Sequence, residues 1–222
     1  MDINQLIVQV TTNALPIIFA ITVHEAAHGY AARHFGDDTA WVAGQVTLNP
    51  VKHIDPLGTI LMPLLLFFAT SGAFMFGYAK PTLVRFDKLR NPRRDMVWVV
   101  LAGPGANLVQ ALAWGISLYL LQALGVSERF FLEMCNAGVW WNVMLFVISL
   151  FPLPPLDGGR ILVGLLPWRQ AQWVARIEPW GFFIVIALIY LQILDTLWMR
   201  PLMTLTGGFL QLLLSPFAAL VN

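Results

Sequence analysis

Apolar residues recur along the chain in long runs, without the alternation that is typical of β-strands. A run of about twenty such residues is long enough to span a bilayer as a helix. No alternating barrel pattern is present, so helices are the expected spanning elements. We therefore predict an all-α polytopic membrane protein with five to six transmembrane helices, forming one integral-membrane domain over residues 1–222. The runs lie at about 5–31, 57–77, 96–122, 131–151, 180–199 and 203–221.

The composition also indicates a membrane protein. Of the 222 residues, 58% are hydrophobic and 11% are charged, whereas soluble domains carry roughly a quarter charged residues. The net charge of +1 gives no reason to expect a nucleic-acid partner. The single cysteine, Cys135, excludes an internal disulfide and a multi-cysteine metal site. The lipid bilayer is the expected environment.

The basic residues predict an orientation. The segment Lys80 to Arg94 carries six of them against one acid, Asp87, which favours the cytoplasmic side. Basic residues also follow Asp157, so the segment after Asp157 is expected on the cytoplasmic side as well. The N-terminus, which has Asp2 and no base, is expected outside.

Residues 57–77 leave two alternatives for the topology. If the first helix runs inward, a full crossing by 57–77 would place the basic loop outside. A re-entrant hairpin after the first helix, bending at Pro63 or at Ser71–Gly72, keeps the loop cytoplasmic, and we prefer it. Irregular backbone at that depth requires protein or a wet cavity around it. A true span with an external basic loop is the alternative.

The run that ends near residue 31 contains the pentapeptide His24-Glu25-Ala26-Ala27-His28. Residues four apart share one face of a helix, so the two histidines can bind one ion. Glu25 points about 100° away from His24 and can reach a metal-bound water as a general base. Ionisable residues inside a membrane helix are costly and indicate a functional site.

Two histidines leave a zinc site short of one protein ligand. His34 has the spacing of the third histidine in one class of zinc protease, but Ala31 stands where that class has its helix-breaking glycine. His53 lies in a loop near Asp55 and is interpreted as a turn residue. Asp157 is the preferred third ligand because it follows three prolines that break a helix, with an N-cap role as the alternative.

These motifs resemble the site-2 proteases, a family of intramembrane zinc metalloproteases. The resemblance rests on the histidine pentapeptide, on Leu156-Asp157-Gly158-Gly159 and on Gly103-Pro104-Gly105-Ala106-Asn107 between them. The stretches LNPVKHIDPLGT (48–59) and GYAKP (77–81) resemble the compact prokaryotic branch, which lacks PDZ and CBS domains.

The resemblance implies one Zn²⁺ per chain, held by His24, His28 and Asp157, with Glu25 activating water. The implied reaction is peptide hydrolysis within or next to the transmembrane segment of a substrate protein. Residues 77–84 resemble the family's edge strand, which pairs with an unwound substrate. Substrate-binding roles are accordingly expected for Gly77, Lys80 and Pro81.

One position departs from the family pattern. The family commonly has asparagine eight residues before the ligand aspartate, and this chain has Ser149 there. Serine reaches less far, so substrate or oxyanion binding would fall to Ser149 or to Asn107. The alternative function is a catalytically weak or inactive homologue that binds membrane proteins, or a zinc-handling transporter. A transporter should show further intramembrane ligands or inverted repeats, and the sequence shows neither.

The expected location is a prokaryotic cell membrane, with the site near the cytoplasmic face.

Overall fold

The computed structural model describes residues 3–62, 65, 68 and 79–219. Within these ranges the chain forms α-helices joined by turns, and no β-strand. This confirms the predicted all-α class. The helices are α1 (Ile3–His34), α2 (Thr39–Val42), α3 (Pro92–Ala123), α4 (Arg129–Ser149), α5 (Asp157–Leu165), α6 (Trp168–Ala175), α7 (Glu178–Tyr190) and α8 (Arg200–Ala218).

Short helical turns fill several of the connections, and polar side chains define where they begin. The Asn49 side chain accepts a hydrogen bond from the backbone of Val51 at the start of the 3₁₀ turn Pro50–His53. Asp55 caps the π-helical turn Pro56–Leu61 in the same way. Both turns have proline at their first position, where no backbone donor is needed. Two further turns are Phe86–Lys88 and Asp195–Met199.

Among the described residues, four helices are long and apolar enough to cross a membrane. A fifth crossing is counted if α6 and α7, bent by 63° at the break between them, form one span. The polytopic class is thereby confirmed. The four spans are Ile7–His34, Pro92–Ala123, Arg129–Ser149 and Asp195–Ala218.

The apolar run at 180–199 is divided in the structure. Helix α7 ends at Tyr190, and Gln192 has a φ of 57°, in the left-handed region. The 13 residues of α7 extend about 20 Å, short of a hydrocarbon core of about 30 Å. Residues 195–199 instead join the span of α8. The predicted bend within 57–77 falls mostly outside the described residues and stays a prediction.

Helices α1, α3 and α4 form the core that carries the site, and a pair of buried asparagines links them. The Asn107 amide nitrogen on α3 donates to Ala20 O on α1 (3.1 Å) and to Asn142 Oδ1 on α4 (3.0 Å). Both asparagine side chains are fully buried. Each such interhelical hydrogen bond in a membrane contributes on average about 0.6 kcal/mol, and together these fix how the three helices meet.

Residues 79–85 form an extended segment, the part of the predicted edge element that the structure describes. Oxygen atoms from other parts of the chain accept hydrogen bonds from the backbone amides of this segment. In a β-sheet, a neighbouring strand would supply these acceptors. Lys80 N donates to His53 O (2.9 Å), and Leu83 N donates to Gln45 Oε1 (2.9 Å). Arg85 N donates to Asp37 Oδ2 (2.6 Å). The segment is thus fixed beside α1 without a sheet.

Asp37 is the charged member of this set, and its side chain is fully buried. Burial alone would raise its pKa, but the Thr39 hydroxyl, the backbone amides of Arg85 and Thr39, and the Lys88 charge hold the pKa below its ordinary value. A carboxylate with a lowered folded-state pKa stabilises the fold at neutral pH. That contribution declines as the pH falls from the unfolded-state pKa through the folded-state one.

Replacement of Asp37 by alanine is expected to lower the free energy of unfolding by about 1.5–3 kcal/mol at pH 7, because hydrogen bonds to a buried carboxylate are lost. The difference from wild type should shrink as the pH falls below about 4, the ordinary range of an aspartate. Denaturant unfolding in detergent across this pH range measures both effects. Asp38→Ala removes the same charge at the exposed neighbouring position and is the control. A difference for Asp37→Ala that is unchanged from pH 7 to pH 3 would contradict the assignment.

Candidate metal centre

Three predicted ligands meet in the structure. The Nε2 atoms of His24 and His28 lie 3.1 Å apart. The Asp157 carboxylate lies 3.2 Å from His24 Nε2 and 3.6 Å from His28 Nε2. One ligand atom from each residue falls within 4.8 Å of the others, which makes a group able to hold a metal ion. Residues 133 positions apart are thus brought together by the fold.

The position of Asp157 follows from the chain break before it. Helix α4 ends at Ser149, because the prolines that follow cannot continue it. The chain then turns back tightly, and a Cβ at Gly158 would overlap the carbonyls of Leu150 and Phe151. Glycine permits this close approach, so α5 starts directly beside the end of α4. Asp157 is the first residue of α5 and faces α1.

The hydrogen bonds of the two imidazoles determine where their protons lie. His28 Nδ1 lies 2.9 Å from Val99 O, a carbonyl that can only accept, so Nδ1 carries the hydrogen. His24 Nδ1 lies 2.5 Å from Asn107 Oδ1. The Asn107 nitrogen faces two acceptor oxygens, so its own oxygen faces His24, and His24 Nδ1 donates as well. In their neutral forms both rings therefore present a bare Nε2 lone pair.

Two lone pairs and a carboxylate facing one another repel unless a proton or a metal ion lies between them. A shared metal ion removes this repulsion and uses all three donor atoms. Two nitrogen donors and one oxygen donor match the three protein ligands of a catalytic zinc site, which leaves a fourth position open. The residues present therefore fit zinc. Asn107 Oδ1 and Val99 O accept from the Nδ1 atoms of the two rings and so fix their orientation, as is common at zinc sites.

Gly103 leaves space at the point where the three candidate ligands converge. A Cβ at this position would overlap the imidazole nitrogens of both His24 and His28. Gly103 lies on α3 directly across from the pentapeptide of α1, one turn before Asn107. The glycine and the asparagine of the same short motif thus serve the same centre, the first by leaving room and the second by orienting His24.

Glu25 lies on α1 between the two histidines, and its carboxylate contacts the extended segment. Glu25 Oε2 accepts a hydrogen bond of 2.8 Å from Thr82 N. The Thr82 hydroxyl donates to the backbone oxygen of Glu25, also at 2.8 Å. Thr82 was not predicted individually from the sequence, because a single threonine in a loop has no distinctive pattern.

The two other candidate histidines lie apart from this group. The His34 side chain is exposed, and its ring packs edge-on against Phe35. His53 is buried and its Nε2 bonds to Thr47 O at 3.0 Å, while its backbone oxygen accepts from Lys80. His53 is therefore a structural residue of the loop that holds the extended segment.

Of the residues predicted to bind substrate, some are buried and bonded within the protein and others are exposed. Asn107 is buried and its polar atoms contact other residues of the protein, as described above. The Ser149 hydroxyl donates to Phe146 O within its own helix (3.2 Å). Lys80 and Pro81 are exposed on the extended segment. Gly77 lies outside the described residues. The substrate-binding roles of all five stay predictions.

Comparison with known proteins shows which family the chain belongs to. The chain is 37% identical over 183 residues to a Bacillus subtilis protein named "Putative zinc metalloprotease YwhC", and the alignment covers 78% of each chain. The chain belongs to the site-2 protease family. The resemblance identified from its motifs is thereby confirmed.

Two mycobacterial proteins are similar in sequence to most of this chain, at lower identity. The chain is 29% identical over 180 residues to "Putative zinc metalloprotease Rip2" of Mycolicibacterium smegmatis. It is 28% identical over 188 residues to the protein of the same name from Mycobacterium tuberculosis. The alignments cover 78% and 81% of this chain, but 64% and 66% of those longer relatives. No family model and no solved structure matches the chain.

Replacement of Gly103 by alanine is expected to abolish stoichiometric zinc binding by this site-2 protease, because the added methyl group overlaps the ligand nitrogens. Gly105→Ala is a matched control on the same helix, since a Cβ there meets no atom within 4 Å. Metal analysis of both purified variants is the measurement. Equal zinc content in Gly103→Ala and wild type would show that the ion lies elsewhere.

Loss of the Asn107 side chain should weaken zinc binding without removing a ligand. The Asn107→Leu variant leaves His24 Nδ1 without its acceptor, so the ring is free to rotate or change tautomer. Loss of a side chain that orients a metal ligand typically raises the dissociation constant for the metal about 10–100-fold. Competition with a chromophoric chelator measures this constant, and an unchanged value would exclude an orienting role for Asn107.

Proposed function

We propose that this protein is an intramembrane zinc endopeptidase, which hydrolyses peptide bonds within or next to the transmembrane segments of its substrates. The observation that carries the proposal is the convergence of His24, His28 and Asp157. Both histidines donate their Nδ1 hydrogens to other residues, so their Nε2 atoms face the Asp157 carboxylate without a hydrogen in the neutral rings. The curated relatives named zinc metalloproteases support the same reaction class. The apolar helices around the site support a location at membrane depth.

The roles of the chain's own residues follow from this arrangement. His24, His28 and Asp157 would hold one zinc ion. Bound there, zinc supplies a Lewis acid that polarises a carbonyl and makes water acidic enough to be deprotonated near neutral pH. The Glu25 carboxylate accepts a proton from the attacking water and returns it to the amine nitrogen that leaves. Asn107 and Val99 O keep the ligand rings oriented throughout.

An apolar groove along α1 supports a membrane-embedded substrate. Its cavity volume is about 670 Å³, within the usual range for ligand sites. It runs along the face of α1 that adjoins the histidine face, and Ala102, the neighbour of Gly103, also lines it. An apolar peptide segment suits such walls better than a charged one. The α1 and α3 residues that line the groove include Val23, Ala27, Ala31 and Ala102.

The orientation and setting belong to the same proposal. The basic residues between Lys80 and Arg94 support a cytoplasmic position for the extended segment. Since that segment contacts Glu25, the site would open toward the cytoplasmic face of a prokaryotic cell membrane. The partners are then a transmembrane protein or peptide as substrate and the lipid around both molecules.

The Glu25→Gln variant tests the proposal most simply. Glutamine keeps the size of the side chain but cannot take up a proton, so cleavage of a transmembrane substrate in detergent or liposomes should fall by about 10²–10⁴-fold. Zinc content should stay at one ion per chain, because Glu25 is not a ligand. Cleavage assays and metal analysis on the same preparations separate the two effects.

Glu128→Gln, an exposed substitution at the start of α4, is the matched control and should cleave like wild type. Equal cleavage by wild type and Glu25→Gln would overturn the role of Glu25. A zinc-loaded wild type that cleaves none of a panel of transmembrane substrates would instead favour an inactive, binding homologue. Zinc transport into liposomes would favour a transporter.

A further inference from the structure

Two hydrogen bonds link Thr82 to the residue proposed as the general base. The Thr82 backbone amide donates to the Glu25 carboxylate, and the Thr82 hydroxyl donates to the Glu25 backbone oxygen. One bond restrains the functional end of the side chain, and the other restrains the helix turn from which it projects. Thr82 itself is 9% exposed, so water competes poorly for either contact.

The segment that carries Thr82 is fixed by contacts that do not involve Glu25. On one side of Thr82, the Lys80 amide is bonded to His53 O. On the other side, the amides of Leu83 and Arg85 are bonded to Gln45 and Asp37. Thr82 is therefore held in place from both directions along the chain. Its backbone amide and hydroxyl therefore have fixed positions from which they restrain Glu25, whose side chain has three rotatable bonds.

We propose that Thr82 is a positioning residue for Glu25, and that it holds the carboxylate in the orientation required for proton transfer. The inference rests on the proposed function of Glu25 as a general base. A free glutamate side chain loses rotamer entropy when it is fixed in one orientation. The contacts with Thr82 fix the Glu25 side chain before a substrate binds. Less rotamer entropy is therefore lost during the reaction itself. Reaction rates depend steeply on such placement.

The test compares Thr82→Val with Thr82→Ser in the cleavage assay. Valine keeps the shape and the backbone amide but loses the hydroxyl that anchors the Glu25 turn, whereas serine keeps both donors. Thr82→Val is expected to lower kcat about tenfold or more while KM changes less than about twofold, because the loss affects the transition state and not substrate binding. Thr82→Ser should recover most of kcat.

A matched control separates positioning from support of the segment. Thr39→Val removes a hydroxyl that bonds to Asp37, so it weakens the anchor of Arg85 without touching Glu25. Its kcat should fall much less than that of Thr82→Val, because the other anchors of the segment and both contacts between Thr82 and Glu25 remain. Melting temperature and zinc content are measured for every variant. A parallel loss of kcat in Thr39→Val and Thr82→Val, or a fall in zinc content in Thr82→Val, would show that the segment has only a structural role.

Hydrogen exchange tests the contact without relying on activity. The Thr82 amide should exchange slowly in wild type and in Glu25→Gln, which keeps an acceptor oxygen. It should exchange at least tenfold faster in Glu25→Ala. Equal exchange in all three proteins, or wild-type kcat in Thr82→Val, overturns the inference while the proposed function stands. Wild type that cleaves no substrate contradicts the proposed function instead, and the exchange result then decides alone whether Thr82 restrains Glu25.

Discussion

The repulsion among three electron-rich groups is the constraint around which this structure is organised. His24 and His28 each commit the Nδ1 hydrogen to an oxygen behind the ring, so their Nε2 lone pairs face each other at 3.1 Å. The Asp157 carboxylate faces the same point. Burial of such a set is costly unless a cation balances it. His24, His28 and Asp157 could each donate one atom to a divalent ion, which would balance the set and would couple metal binding to the packing of α1 against α5.

The helices around the site are arranged to maintain this geometry. Asn107 restrains His24 and at the same time contacts α1 and α4, so the orientation of a ligand depends on how three helices pack. The proline break after α4 allows a carboxylate to enter from a short helix, which a continuous span would not permit. On the remaining side, the extended segment 79–85 is attached to Glu25 through Thr82. The three candidate metal ligands, Glu25 and the surrounding helices are therefore connected through hydrogen bonds and packing.

Some of this arrangement could be predicted from the sequence, for identifiable reasons. Helical spacing places His24 and His28 on one face, and long apolar runs reveal the spanning helices. The junction at Gln192 escaped prediction because the residues around it are apolar and give no sign of a break. Long-range pairs such as Thr82 with Glu25, or Val99 O with His28, could not be predicted. Backbone donors and acceptors have no sequence signature, and only tertiary packing brings them to the site.

X-ray absorption at the zinc edge of the purified protein tests the central claim most directly. We expect one zinc ion per chain, with two imidazole nitrogens and oxygen ligands at about 2.0–2.2 Å, and loss of the carboxylate oxygen ligand in Asp157→Ala. A folded protein that binds no zinc would contradict it. So would a shell that contains a third imidazole or a sulfur at about 2.3 Å, because neither belongs to the three side chains that converge here.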